Sequence, residues 1–354
     1  MKKFLSLILT LAMALSLVAC GGSEKEEAPA QSGSAPAQTE TKTESAAPEY
    51  EWTLAHHLAE ESQQHKGFVA FADEVFEKSG GRIKINIAFG ASLGSQREAI
   101  EQVNLGTIAM AMGEASLYAN YCPELGVLNL PFLFETEEQY LEVIETGVGD
   151  KLDSILAENT NMVNLAWLCG GTRDIYSSKP VTAIGDIAGL KIRTPESPVF
   201  VQSFEALGAN PTPIAANEMY TALQQGVVDA MEGSLETGYS YKIYEVAKNC
   251  LKTNHILAGI SLVINKGIYN DLPDDLKAVL DECCANMTVN ECKLVADSSD
   301  YYQDLLTKEG VVFTEMSAEE QANAKAAVAD FTASYIGDNA VMQEIYDEIV
   351  AATK

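Results

Sequence analysis

From Glu51 onward the chain alternates two hydrophobic periods, and this alternation narrows the folds open to it. Glu51–Ala55 alternates like an entering strand, then Phe68, Phe71, Ala72, Val75 and Phe76 share one face of a helix closed by Gly80-Gly81. Arg82–Ile87 has the period of two expected of a half-buried strand. Ser95–Leu105 reads as a helix stopped by Gly106, and Thr107–Met112 as the next strand. Thr136–Asn159 is largely helical and Met162–Leu168 is again an apolar strand. The second half repeats the theme. Lys191–Arg193 is a short strand, Ser197–Leu207 a helix ended by Gly208, Asn217–Gln225 a helix ended by Gly226, and Val227–Met231 a strand. Such alternation specifies an α/β fold, with ligands taken near the carboxyl ends of the strands. After Pro273 a helical pattern runs from Asp274 to about Thr307 without Gly or Pro, longer than one ordinary domain helix.

The N-terminal segment reads as targeting rather than fold. Residues 1–20 carry two lysines, an apolar stretch and a small residue before cysteine, the make-up of a secretory signal. The apolar run is too short and wrongly flanked for a lasting membrane span. Leu17–Cys20 resembles a bacterial lipoprotein box, which implies lipidation of Cys20 and anchoring on the outer face of the membrane or in the periplasm. Residues 21–49 are rich in Gly, Ser, Ala, Pro, Thr and Glu, a composition that cannot bury enough surface to offset chain entropy; they read as a flexible tether. The remainder is ample for a core and for two lobes.

Hydrophobic residues make up 47% of the chain and charged ones 21%, ordinary for a soluble globular protein. The net charge of −28 argues against nucleic acid or anionic lipid as a partner. An anionic ligand remains admissible, because in a dry cleft it feels local arginines more than screened distant charge. Besides Cys20 there are six cysteines: Cys122, Cys169, Cys250, Cys283, Cys284 and Cys292. An even number outside the membrane permits disulfides. Cys283 and Cys284 are helical neighbours and no CxxC occurs, so buried reduced thiols are the expectation.

The richest stretch for function is Gly189–Ser234, GLKIRTPESPVFVQSFEALGANPTPIAANEMYTALQQGVVDAMEGS. Arg193 within it offers two parallel N–H donors in a rigid plane, matched to the two oxygens of a carboxylate, which a flexible lysine cannot reproduce. A plain surface pair with Glu196 is the alternative for this arginine.

The runs GLKIRTPESPVF, LGANPTP and ALQQGVVDA, in order and with little insertion, resemble the solute-binding proteins of TRAP transporters, the tripartite ATP-independent periplasmic uptake systems. FADEVFEKSGGRIKI, GASLGSQREAIEQVNLGTIAMA, LNLPFLF and TNHILAGISLVINK extend the likeness over roughly Tyr50 to Asn339. The resemblance implies a two-lobed periplasmic-binding-protein-like fold with a ligand cleft between lobes and a long helix spanning both. Lobe I would comprise 50–170 plus about 259–298, and lobe II 171–258 plus about 299–354. It implies that Arg193 clamps a substrate carboxylate and that Arg173 gives a second contact, a salt bridge to Asp174 being the alternative. Glu114 would hold a substrate hydroxyl or amine, or support an arginine, and His57 would line the cleft while His56 packs.

Two departures from the family pattern bear on the ligand. Many members carry an asparagine where Gly233 stands, so Gly233 N–H, Ser234 or water would replace its side chain. An aromatic wall common after the PTP motif is Ala216 here, followed by Asn217, which implies a roomier pocket than a sialic-acid site. Glu232 would orient an arginine or meet a ligand ammonium. Trp167 and Tyr239 would stack on a flat or sugar-like ligand, core packing being their more common fate.

No GxSxG, HExxH or GxxxxGK[ST] occurs, so the expectation is a non-enzymatic binder without cofactor or metal. His56, His57 and His65 have a spacing that fits no familiar ligand set. A secreted hydrolase would need a loose Cys169–histidine pair. The reading is a monomeric extracytoplasmic protein that captures a small organic acid by hinge closure and delivers it to a TRAP membrane permease. A sensory lipoprotein presenting the bound acid to a membrane receptor is the alternative.

Overall fold

The computed structural model describes residues 47–353. The secretory signal, Cys20 and nearly all of the expected tether lie outside the described residues. Nine strands form one mixed sheet: β1 (Tyr50–Ala55), β2 (Ile83–Ala88), β3 (Met110–Glu114), β4 (Met162–Ser177), β5 (Lys191–Thr194), β6 (Asn210–Pro213), β7 (Ala230–Ser234), β8 (Asn249–Asn265) and β9 (Val312–Glu315). Their order is β2-β1-β3-β8-β4-β7-β5-β6, with β9 pairing β8.

Two parallel groups, β2-β1-β3 and β7-β5-β6, flank the long antiparallel pair β4 and β8. The first half of β4 pairs the second half of β8 beside β3, from Met162 with Asn265 to Cys169 with Gly259. Its second half pairs the start of β8 beside β7. A register shift between Cys169 and Thr172 separates the halves. Gly171 sits there at φ +77°, a left-handed conformation that only glycine adopts without strain.

The helix Asp274–Lys308 packs along β4 and on the helices Gln63–Lys78 and Leu235–Ser240. It therefore touches elements on both sides of the bulge, as a spanning helix should. The C-terminal helix Ala340–Ala352 buries Met342, Ile345 and Ile349 in a cluster with Val143, Leu152 and Leu156. The chain end thus packs on elements from the first half of the sequence. The reason is an apolar face on that helix that needs such a partner.

The expectation of reduced thiols fails at one pair. Cys169, next to the bulge, is disulfide-bonded to Cys292 of the long helix, with Cα atoms 4.8 Å apart. These residues lie 123 positions apart, and only the packing of helix on strand brings them together. Cys122, Cys250, Cys283 and Cys284 are free and buried.

Candidate functional site

Strand ends and one bulged strand converge on a buried charge cluster. Glu114 is the last residue of β3, His57 follows β1 by two positions, and Arg193 and Glu232 occupy β5 and β7. Arg173 stands on β4 directly opposite Ser234 of β7. The neighbouring pair Ile175 and Glu232 places the Glu232 side chain diagonally across from Arg173 on the same face. Arg173, Arg193, Glu114 and Glu232 are each at most 6% exposed, so the protein is closed over them.

The two guanidiniums are held differently. Arg173 donates from Nε to Glu232 Oε2 at 2.5 Å, from Nη2 to Glu232 Oε1 at 2.8 Å and to the Glu232 carbonyl at 3.5 Å, and from Nη1 to Glu114 Oε1 at 2.6 Å. Four of its five N–H donors are thereby engaged. Its carbon end lies 5.0 Å over the Phe200 ring. Burial works against the charge on Arg173, yet Glu114 and Glu232 outweigh it and raise its pKa. Asp174, the alternative partner, instead accepts from Lys252 Nζ at 2.7 Å.

Arg193 donates from Nε to the Ile214 carbonyl at 2.8 Å. Its Nη1 is 3.7 Å from Glu232 Oε1, beyond hydrogen-bond range, and its outer nitrogens find no acceptor among the described residues. Burial, above all, lowers its pKa, with Arg173 adding to that effect while Glu232 and Glu114 oppose it. Glu196, the surface partner considered for it, pairs with Arg97 at 3.2 Å. Arg193 is thus a buried cation within ion-pair distance of Glu232 whose outer nitrogens make no hydrogen bond to the described residues.

The PTP run explains how Arg193 is aimed. Pro211 and Pro213 sit in β6, an edge strand where proline is tolerated. Ile214 N–H donates to the Thr194 carbonyl at 3.0 Å and leaves the Ile214 carbonyl facing Arg193 Nε.

Glu232 is the shared anion of the site. Burial pushes its carboxyl up, but Arg173 and the neighbouring His255 prevail and hold it at about 2. His255 lies 3.5 Å from Glu232 and bonds Thr253 Oγ1 through Nδ1 at 2.8 Å. Glu114 Oε2 is buried without a partner. His57 packs its ring on Tyr241, with centroids 6.3 Å apart, and its carbonyl accepts from Tyr241 Oη at 2.8 Å. His56 is buried, stacks on Phe68 and faces His65 Nδ1 through Nε2 at 3.1 Å.

Other expected site residues are placed elsewhere. Trp167 is buried in the hydrophobic cluster against Gly149, because alternation along β4 turns it to that layer. Tyr239 stacks on Tyr244 at 5.7 Å, beside a cavity of about 510 Å³ also lined by Lys66, Lys242 and Tyr301 and by neither arginine. Asn217 is exposed, and Ala216 lies with it in a 3-10 turn two residues past Ile214. A Cβ on Gly233 would come within 2.8 Å of Met231 and 3.0 Å of Thr237, so the position has no room for a side chain without a shift. Ser234 is not free either, because its Oγ caps the helix Leu235–Ser240 through Thr237 N–H.

Phe200, Tyr241 and Gln96 are not singled out by the sequence, and His255 stands out there only as a loose partner for Cys169. Phe200 follows Pro198 at the start of a helix and so faces back toward the strand ends, a position that the Ser197-Pro198 helix start makes legible. His255 and Tyr241 reach the site through long-range pairing that leaves no local pattern, whereas Gln96 opens a helix whose Ser95-x-x-Glu98 capping box is legible.

A continuous sheet bridged by two long strands, a helix along both parts and a closed-over arginine at the strand ends together define a solute-binding protein. The chain belongs to the family described as bacterial extracellular solute-binding protein, family 7 (DctP), which it matches over residues 54–338. A solute-binding protein of Verminephrobacter eiseniae is 32% identical over 279 residues, covering 78% of this chain and 82% of that protein. The 2,3-diketo-L-gulonate-binding periplasmic protein YiaO of Escherichia coli is 29% identical, covering 84% of this chain and 91% of YiaO. A TRAP periplasmic solute-binding protein of Roseobacter denitrificans, solved with bound L-galactonate, superposes with a TM-score of 0.79 at 28% identity, covering 85% of this chain and all (100%) of that one. The protein is accordingly a TRAP-type extracytoplasmic solute-binding protein, and no helix among the described residues is long and apolar enough to cross a membrane.

Proposed function

We propose that this protein captures a small hydroxylated organic acid, its carboxylate docking on Arg193, and hands it to a TRAP membrane permease without catalysing any reaction. The observation that carries this reading is the buried Arg193 guanidinium with Nε fixed and its outer nitrogens without a hydrogen-bond partner among the described residues. A buried cation without full compensation is costly, and a bidentate carboxylate removes that cost. Arg173 lends its one remaining N–H as a second contact, while Glu114 Oε2 accepts from a ligand hydroxyl. His57 lines the same cleft, and Gly233 contributes backbone only. The L-galactonate of the Roseobacter relative and the ligand in the name of YiaO favour a sugar acid.

In this reading lobe I comprises 50–170 plus about 259–298, and lobe II 171–258 plus about 299–354, with the C-terminal helix returning to pack on lobe I. The lobes hinge at the Gly170-Gly171 bulge and along the long helix. A lipid on Cys20 and a tether over 21–49 hold a monomer at the membrane. The test is a thermal-shift and calorimetric screen with galacturonate, glucuronate and galactonate. Arg193→Ala is expected to lose roughly 2–5 kcal/mol of binding, since the ligand carboxylate is left buried without its partner. Arg193→Lys is expected to lose much of the same, because a point charge forfeits the bidentate geometry. Shifts with neutral sugars and none with any acid would overturn the reading.

A further inference from the structure

One hydrogen-bond chain beside the arginines has a direction that chemistry alone fixes. The backbone N–H of Glu114 can only donate, and it lies 3.0 Å from Gln96 Oε1. Gln96 must therefore turn its Nε2 to His57, whose Nε2 is 3.1 Å away. An amide nitrogen accepts nothing, so His57 Nε2 is the acceptor. An imidazole that accepts at Nε2 carries its proton on Nδ1. That Nδ1 is buried and has no partner.

The surroundings keep the ring in this form. Burial, then the neighbouring His56 and the charges of Arg193 and Arg173, lower its pKa to about 3, so it stays neutral. Tyr241 fixes the ring plane by stacking at an interplanar angle of 18° and by its hydroxyl bond to the His57 carbonyl. Gln96 is itself placed by a capping box, in which Ser95 and Glu98 exchange hydrogen bonds and begin the helix Gln96–Asn104.

We propose that Gln96 is a positioning residue that locks His57 as the neutral Nδ1–H tautomer, giving the cleft a fixed hydrogen-bond donor for an acceptor oxygen of the bound acid. The ligand half of this statement rests on the acid-capture reading; the tautomer half does not. Because Gln96 also holds the Glu114 backbone, donor and carboxylate are set at a fixed separation. The cleft then distinguishes an acid with an acceptor oxygen and a hydroxyl so spaced from one lacking either.

The test is the nitrogen NMR spectrum of the His57 ring in ¹⁵N-labelled protein at neutral pH. The chain has 4 histidines, and His57→Gln identifies the signals that belong to this one. The wild type is expected to show an unprotonated Nε2 and a protonated Nδ1. In Gln96→Glu one carboxylate oxygen still takes the Glu114 N–H and the other demands a proton from His57. Its Nε2 signal should then cross to the protonated range, which loss of a merely structural contact would not cause. A protonated Nε2 in the wild type overturns the proposal, and so does an unprotonated Nε2 in folded Gln96→Glu. Both readouts need no ligand, so failure of acid binding at Arg193 registers separately in the titrations above.

Discussion

Glu232 sits among Arg173, Arg193 and His255, and the balance of the site turns on it. Replacing it by alanine strips Arg173 of its bidentate partner and leaves two buried guanidiniums sharing Glu114. Unfolding by denaturant should show Glu232→Ala destabilised by about 3–5 kcal/mol, the usual result of breaking one side of a buried ion pair. The pH dependence follows from the same residues. Glu232 is held at about 2 in the folded chain against 4.5, so its contribution is complete above 4.5 and is lost as pH falls toward 2. Burial first, then His65, lowers His56 to about 3 from 6.5, so its contribution is complete above 6.5 and declines as the unfolded chain takes up a proton below it. Resistance to urea should therefore weaken in acid from about pH 6.5 downward. His56→Phe should flatten that decline by up to about 1.4 kcal/mol per pH unit. An unchanged slope would show that His56 titrates normally in the fold. At this scale the sequence made Arg193 legible, because a guanidinium's chemistry travels with the residue. It could not say that Arg173 is occupied by two carboxylates, each 59 positions away.

Among elements, β1, β2, β3, β5, β7 and the long helix are legible in the sequence, whereas β6, β9 and most of the central antiparallel pair are not. β8 is buried along almost its whole length and shows no alternation, since a strand in mid-sheet is covered on both faces. β4 was read only to Leu168 because the Gly170-Gly171 bulge interrupts its pattern, although the strand runs on to Ser177. The disulfide pins this bulge to the long helix. The double variant Cys169→Ala/Cys292→Ala should lose about 2–4 kcal/mol in denaturant unfolding under oxidising conditions. An equal midpoint for variant and wild type would mean that the bond is not formed in solution. Thiol reagent should find Cys122, Cys250, Cys283 and Cys284 unreactive until the chain unfolds, because all four are buried and burial raises each thiol pKa.

For the whole molecule, contacts between distant segments hold the closed arrangement around the arginines. Glu236 Oε1 accepts from the N–H of Gln63, at the start of the helix Gln63–Lys78, and from Tyr302 Oη, both at 2.9 Å. Tyr241 Oη donates to the His57 carbonyl across the sheet. If closure is what retains the acid, Tyr241→Phe should weaken binding by about 0.5–1.5 kcal/mol, mainly through faster release. Calorimetry and dissociation kinetics measure this, and an unchanged dissociation rate would argue that the contact has no part in holding the closed form. Small-angle scattering should show a more compact particle when a sugar acid is bound than without it. Periodicity and side-chain chemistry are local, so the sequence by itself determined an α/β chain, a long uninterrupted helix and an arginine suited to a carboxylate. Which charges share the interior, which cysteines meet and which ring nitrogen carries a proton were decided only by tertiary structure. Those outcomes depend on the register of β4 against β8 and on the helix laid along them, which bring together residues far apart in the chain.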